Sequence, residues 1–378
     1  QNITPTSTSH NQTAQQAADS DQFRTAIARS TTSTSIAAID TSNINIVRKL
    51  YTQPVPTQNY PPKPPASQPY SLPGDICTTI LHASRNKGAG INADSIDIFI
   101  DLVQAKLPNI PTHLNFIFNQ IYQNNLPPPI TRYFTDVYLF CLHKDPLDKS
   151  KLRPLGIPTA IRRLIASHVA HTFREKFARH MLPFNYAVGT PNGTNLIINT
   201  MQLQVEKYIT LPQSKNILPS RAAVFFDLTN QFNSVSREEF KHVIATSFPE
   251  LLPLVTLFYD KPNTVHFKWD DGSWRRLSMK EGTSQGCPLS PFLFIIVLHC
   301  LFSDADDEID KAGVSPNLYS HRRPLYDLEY ADDVVLMSPS HSNLQFFTHT
   351  LQKVAQPYGL SFNKDKTAHM PCFTKHNS

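Results

Sequence analysis

The sequence has little cysteine, few charged residues and no long apolar run, and each shortage excludes a class of protein. Its five cysteines include no CxxC pair, which excludes the usual zinc-finger spacings and suits a reducing compartment. The longest apolar run, residues 291–302, is shorter than the ~20 residues that a membrane-spanning helix needs. We therefore expect an intracellular protein with no secretory signal and no membrane partner.

Glycine is also scarce, with 11 residues against 31 prolines, and the prolines are concentrated near the start. Residues 1–74 are rich in Ser, Thr, Gln, Asn and Pro and contain the run PPKPP. Such a segment buries too little apolar surface to offset its chain entropy. We therefore predict a disordered arm over residues 1–74.

The remainder of the chain has the apolar patterns of a folded body. Apolar spacing predicts one long basic helix over residues 161–182 and an apolar helix over 290–302. The runs at 222–228 and 334–337 are typical of β-strands. This mixture predicts an α+β fold.

Basic residues are concentrated in one block, although charged residues make up only 17% of the chain. Between residues 132 and 180 there are ten Lys or Arg and four Asp or Glu, so ten minus four gives +6, against +5 for the whole chain. Such a block is typical of a polyanion partner. A solvated surface face explains it equally well.

The run AAVFFDLTNQFNSVSR, residues 222–237, places Asp227 at the end of an apolar strand. A carboxylate at that position is either a metal ligand or part of a helix cap, in which Thr229 could also serve. A second run, LYDLEYADDVVLM at 325–337, places Asp332 and Asp333 between two strand-like segments. Adjacent carboxylates repel each other, so they suit either a solvated turn or a site for divalent cations.

A third run, GTSQGCPLSPFLF at 282–294, lies between the two acidic runs. These segments resemble the motifs of retroelement reverse transcriptases, as do NKGAGINADS, KLRPLGIP, YADD and GLSFNKDKT. The motifs occur along this chain in the same order as in that family. The resemblance covers about residues 75–367 and is stronger to non-LTR (LINE-type) elements than to retroviral enzymes. It implies a right-hand polymerase with fingers at 75–214 and a palm at 215–378. The palm would be an antiparallel sheet backed by helices, and the thumb is expected to be missing.

The resemblance implies a two-metal mechanism, with two Mg²⁺ ions, or Mn²⁺ in their place. Asp227 and Asp332 would bridge both ions, Asp333 would support them, and the main-chain carbonyl of Leu228 would complete one coordination shell. Lys366 would protonate the pyrophosphate, with Lys364 as a competing candidate.

The resemblance also assigns the substrate contacts. Arg153 and Lys144 would bind the triphosphate, although for Lys144 a solvated surface position is the stronger alternative. Phe232 would act as a steric gate that excludes ribonucleotides, and Gln285 with Gly286 would form the floor beneath the incoming base and the template. The expected partners are dNTPs and an RNA or DNA template with its primer.

Two other functions compete with this interpretation. RNA-dependent RNA polymerases share the palm, but they usually have GDD in place of YADD and a polar residue in place of Phe232. A decayed or domesticated element would bind nucleic acid without catalysis, and the intact set Asp227, Asp332 and Asp333 argues against long decay. The resemblance to non-LTR elements also implies action in the nucleus.

Overall fold

The computed structural model describes residues 36–51, 69–85, 95–144, 147–148, 150–209, 221–313, 327–338 and 341–372. The segment NKGAGINADS lies almost entirely outside the described residues. Within the described part, no helix is long and apolar enough to cross a membrane.

The first half of the chain is mainly helical in its described residues. Its helices are α1 (Ile44–Tyr51), α2 (Ile76–His82), α3 (Ile96–Gln104), α4 (Ile110–Tyr122), α5 (Pro128–Thr135), α6 (Ala160–Thr172), α7 (Arg174–Met181) and α8 (Gly193–Ile209). The helices of the second half are α9 (Gln231–Ser234), α10 (Arg237–Ser247), α11 (Leu252–Tyr259), α12 (Ser290–Lys311) and α13 (His341–Val354), with a 3₁₀ turn at Pro249–Leu251.

Five strands form the first sheet, in the order β1–β2–β5–β6, with β3 also paired to β2. They are β1 (Ile36–Ala37), β2 (Val137–His143), β3 (Leu152–Pro158), β5 (Asn263–Lys268) and β6 (Trp274–Met279). Strand β2 pairs antiparallel with β3 along its length and parallel with β5 at its start. This sheet therefore draws strands from both sides of the predicted boundary at 214/215.

Four strands form the second sheet, in the order β7–β8–β4–β9, and every pairing in it is antiparallel. They are β4 (Arg221–Phe226), β7 (Asp327–Tyr330), β8 (Asp333–Ser338) and β9 (Ala368–Cys372). Val334 to Ser338 are all buried, because β8 is an inner strand with both faces covered. Helices α12 and α13 pack behind the sheet and share its core. The predicted α+β fold, with an antiparallel sheet backed by helices, is confirmed.

The expected disorder of residues 1–74 does not hold for residues 36–51. Ile44, Val47 and Tyr51 lie on one face of α1 and are buried against Phe267 and Met279 of the first sheet. A short apolar stripe of this kind cannot fold alone and is stabilised only by a surface that distant residues build.

The predicted long helix over 161–182 is two helices. Helix α6 ends at Thr172, and α7 begins at Arg174. Phe173 between them has a φ of −89° and a ψ of 0°, which lie outside the helical range. The apolar spacing continues across the break, because Phe173 and Phe177 both remain in the core.

Candidate active site

The second sheet places Asp227 directly after β4, beside the segment that precedes β9. The main-chain oxygen of Asp227 accepts a hydrogen bond from the Asn363 amide at 2.8 Å. Its Oδ2 accepts from Lys366 Nζ at 2.9 Å and from Asn363 Nδ2 at 3.3 Å. The GLSFNKDKT segment therefore holds this carboxylate, and its residue Lys366 forms an ion pair with it.

The hairpin of β7 and β8 carries the other two carboxylates. Its turn passes through Ala331, which has a positive φ of 59°, to Asp332 and Asp333. Gln231 Nε2 donates a hydrogen bond to Asp332 Oδ2. Burial, and then the charges of Asp332 and Asp227, raise the pKa of the Asp333 carboxyl above its ordinary value. Negative charge therefore converges where β8 lies beside the end of β4.

A cleft of about 500 Å³ opens at this point between the two sheets. Eight of the ten residues predicted for the site line this cleft: Lys144, Arg153, Asp227, Leu228, Phe232, Gln285, Asp332 and Lys366. Asp333 and Gly286 are the two that do not. The wall also includes Leu50 of α1 and residues 229–231.

Positive charge reaches the cleft from the hairpin of β2 and β3. Burial, and then the nearby Lys366 and Arg153, lower the pKa of the Lys144 ammonium. Three cations therefore stand close together at one end of the cleft, beside the carboxylates. Such an arrangement is favourable when an anion with several charges binds between them.

Phe232 on α9 is half-buried at the cleft wall. Its ring packs on Phe294 of α12, with 5.3 Å between the ring centroids. Its main-chain oxygen accepts a hydrogen bond from the Thr283 amide at 2.5 Å. The ring is thus fixed from behind by the run that begins at Gly282.

Gly286 touches the first sheet rather than the cleft. A Cβ at Gly286 would lie 2.5 Å from the main-chain oxygen of Gly156 in β3, so only glycine permits this approach. Gly282, with a φ of +77°, packs equally closely on the main chain of Asn233. Gly286 also borders a second cavity of about 670 Å³, lined on its other side by Arg163 and His171.

The carboxylates provide an oxygen-only donor set of the kind that hard divalent cations prefer. Among the described residues, no group of three or more His, Cys, Asp or Glu side chains already stands close enough to hold a metal ion. Burial, together with the neighbouring charges of Asp332 and Asp227, nevertheless raises the pKa of Asp333, and a cation beside these carboxylates would relieve their mutual repulsion. The residues present fit a divalent metal ion.

Two buried arginines, one in the basic block and one at the end of the run at 222–237, are structural residues that the sequence did not reveal. Arg162, within the basic block, has no exposed surface, and its guanidinium lies 4.4 Å from the centre of the Phe258 ring. Arg237, the last residue of NQFNSVSR, is 3% exposed and bonds the Gly282 oxygen at 3.0 Å. Arg162 therefore contributes no charge to a polyanion surface, which corrects part of the interpretation of the block. The sequence signal that could have indicated a buried arginine was the position of Arg162 inside an apolar helical pattern.

Comparison with known proteins identifies a family and a curated relative of this chain. A family model described as reverse transcriptase (RNA-dependent DNA polymerase) matches residues 142–374. The relative is the retrovirus-related Pol polyprotein from type-1 retrotransposable element R2 of Popillia japonica. It is 24% identical over 255 residues, which cover 67% of this chain and 34% of the relative. This chain therefore spans about a third of the relative's length.

The chain is also similar to solved telomerase structures at low sequence identity. Telomerase from Candida tropicalis, in complex with a fragment of telomeric RNA, has a TM-score of 0.46 at 15% identity over 63% of this chain and 41% of that chain. Apo telomerase from Candida tropicalis has a TM-score of 0.48 at 14% identity over 73% and 54%, respectively. The corresponding Candida albicans complex has a TM-score of 0.48 at 14% identity over 65% and 44%.

Proposed function

This chain belongs to the reverse transcriptase (RNA-dependent DNA polymerase) family, and from that premise we propose that it is an RNA-directed DNA polymerase that adds dNTPs to a primer 3′-hydroxyl. Members of this family use divalent metal ions and work on a nucleic-acid template. The observation that carries the proposal is one cleft lined by carboxylates from β4 and the β7–β8 hairpin and by cations from the β2–β3 hairpin. Its match to a type-1 retrotransposable element supports a non-LTR origin, for which we propose action in the nucleus.

Arg153 and Lys144 would bind the triphosphate of the incoming nucleotide. The planar guanidinium of Arg153 can bond two phosphate oxygens at once, whereas Lys144 acts as a point charge. Burial, and then the repulsion from Lys366 and Arg153, lower the pKa of Lys144, and a bound anion would relieve the repulsion. Phe232, fixed against Phe294, would exclude a ribose 2′-hydroxyl, and Gln285 would contact the base and template.

Asp227 and Asp332 would hold two Mg²⁺ ions, with Mn²⁺ as a substitute, assisted by Asp333 and the Leu228 carbonyl. When bound, such ions supply activation of the primer hydroxyl and neutralisation of the leaving pyrophosphate. Asn363 and Gln231 orient the two carboxylates through the hydrogen bonds described above. Lys366, whose ammonium pairs with Asp227, would donate the proton that the pyrophosphate takes as it leaves.

The test is Mg²⁺-dependent extension of a DNA primer on an RNA template. Asp332→Ala removes a carboxylate from the cleft, and Asp307→Ala is its matched control, because Asp307 is exposed on α12 and does not line the cleft. We expect the native chain and Asp307→Ala to extend the primer and Asp332→Ala to lose most of the activity.

Each outcome separates polymerase activity from nucleic-acid binding alone. Extension by Asp332→Ala at the native rate would show that this carboxylate is not catalytic. A native chain that binds primer–template with no Mg²⁺-dependent extension would instead support a domesticated or decayed element that only binds nucleic acid.

A further inference from the structure

The chain between α7 and α8 runs alongside β7, on the edge away from β8. The Tyr186 amide donates to the Glu329 oxygen at 3.0 Å, and the Glu329 amide donates to the Phe184 oxygen at 3.0 Å. Asn185 therefore sits directly opposite Glu329. Both side chains are fully buried.

The Asn185 amide group bonds three residues, two in the β7–β8 hairpin and one in its own segment. Its Nδ2 donates to Glu329 Oε2 at 3.0 Å and to the main-chain oxygen of Ala331 at 3.3 Å. Its Oδ1 accepts from the Ala187 amide at 3.1 Å, which fixes the plane of the group. Both hydrogens and the oxygen of this side chain are thus used within the β7–β8 hairpin and the segment beside it.

Ala331 needs such support because its φ of 59° lies in the left-handed region. Residues with a Cβ are strained there and keep the conformation only when the surroundings hold them in it. The residues that follow are Asp332 and Asp333, so the direction of their side chains depends on this one turn.

We propose that Asn185 is a positioning residue, which holds the Ala331 carbonyl and the Glu329 side chain and thereby sets the turn that presents Asp332 and Asp333. Asn185 itself touches neither the cleft nor its substrates. The consequence for catalysis rests on the proposed polymerase activity, whereas the effect on the turn does not.

The first test compares Asn185→Ala with Asn263→Ala. Asn263 is also fully buried, and its Nδ2 donates to the main-chain oxygens of Thr135 at 2.7 Å and Phe258 at 3.1 Å, away from the turn. Both variants lose buried hydrogen bonds, so both should be less stable. Only Asn185→Ala should lower kcat, by roughly 10- to 100-fold, as expected when catalytic groups are displaced. The KM for dNTP should change little, because Lys144 and Arg153 are untouched.

A double variant tests whether Asn185 acts through the turn at Ala331. Glycine adopts a positive φ without strain, so adding Ala331→Gly to Asn185→Ala should recover part of the lost kcat. If Asn185→Ala does not fold, Asn185→Asp takes its place, because it has the same shape without the amide hydrogens.

Amide hydrogen exchange, measured without metal or nucleotide, tests whether Asn185 holds the turn at Ala331, and it does so independently of activity. Exchange over residues 329–334 should be faster in Asn185→Ala than in the native chain and unchanged in Asn263→Ala. Unchanged exchange together with native kcat in Asn185→Ala would overturn the inference. An inactive native chain whose Asn185→Ala variant still loosens the turn would overturn the polymerase proposal and leave the role of Asn185 in place.

Discussion

Replacing Arg237 with Met should destabilise the protein by about 3 kcal/mol, which is a loss large enough to separate a structural from a surface arginine. The guanidinium donates to the Gly282 oxygen at 3.0 Å, the Lys261 oxygen at 3.1 Å and Asn263 Oδ1 at 2.5 Å. The Gly282 and Asn263 acceptors are buried and the Lys261 acceptor is part-buried. Leaving such an acceptor without a donor costs roughly 1–3 kcal/mol, or about 6 kcal/mol for the three together.

Part of that loss is offset because the buried charge is itself unfavourable. Burial lowers the pKa of Arg237 from 12.5 to about 10, and the nearby Tyr259 and Glu281 only partly oppose this. At about 1.4 kcal/mol per unit of pKa, removing the charge recovers roughly 3 kcal/mol. The net loss is therefore about 3 kcal/mol, with a melting temperature lower by roughly 5–10 °C.

Urea unfolding followed by tryptophan fluorescence measures this loss, since both tryptophans, Trp269 and Trp274, lie on or beside the β5–β6 hairpin that begins at Asn263. The matched control is Arg85→Met. Arg85 pairs with Asp101 at 2.7 Å but its side chain is 43% exposed, so its replacement should cost less than about 1 kcal/mol. If Arg237→Met costs no more than this control, the account of Arg237 as the link between α10 and the Gly282 turn is wrong.

Three further outcomes are expected. Phe232→Ala should raise incorporation of rNTP relative to dNTP in primer extension, and an unchanged preference would remove Phe232 from the role of steric gate. Gly286→Ala should lower kcat by roughly 10- to 100-fold, because its Cβ would lie 2.5 Å from the Gly156 oxygen and push the turn off β3; native kcat would contradict this. Burial raises the pKa of Glu329 from 4.5 to about 7, so the unfolded state loses its proton first and native stability should fall as pH rises from 4.5 to 7. The fall in the free energy of unfolding should reach roughly 3 kcal/mol in the native chain and be absent in Glu329→Gln, as measured by urea unfolding across that pH range. Equal pH profiles for the two proteins would refute the inference that Glu329 is buried in its neutral form.

Local sequence was enough to predict the elements that carry the carboxylates. The apolar run before Asp227 is a strand, YADD lies at the turn of a hairpin, and the run after Pro288 is a helix, as their patterns indicate. These predictions succeed because apolar periodicity reports which face of a segment is buried, and a short segment carries that information itself. The resemblance to reverse transcriptases then implied which segments would meet.

Other features depend on partners that are remote in the sequence. Asn185 bonds Glu329 across 144 positions, and Asn230 Nδ2 donates to the Leu50 oxygen across 180 positions. Residues 36–51 have the composition of a disordered arm, but the first sheet provides a surface on which α1 folds. The local sequence pattern gives no information on such a surface, because residues distant in the sequence form it only when the chain folds.

The sequence by itself determined which carboxylates, cations and aromatic ring are available to the site, and its resemblance to reverse transcriptases predicted that they would share it. Only the tertiary structure decided which charges are buried, as for Arg162 and Arg237, and why Gly286 must be glycine. The physical reason is that burial, close main-chain contact and strain at Ala331 are properties of pairs of segments. No single segment contains them, and they exist only once the two sheets and their helices have packed together.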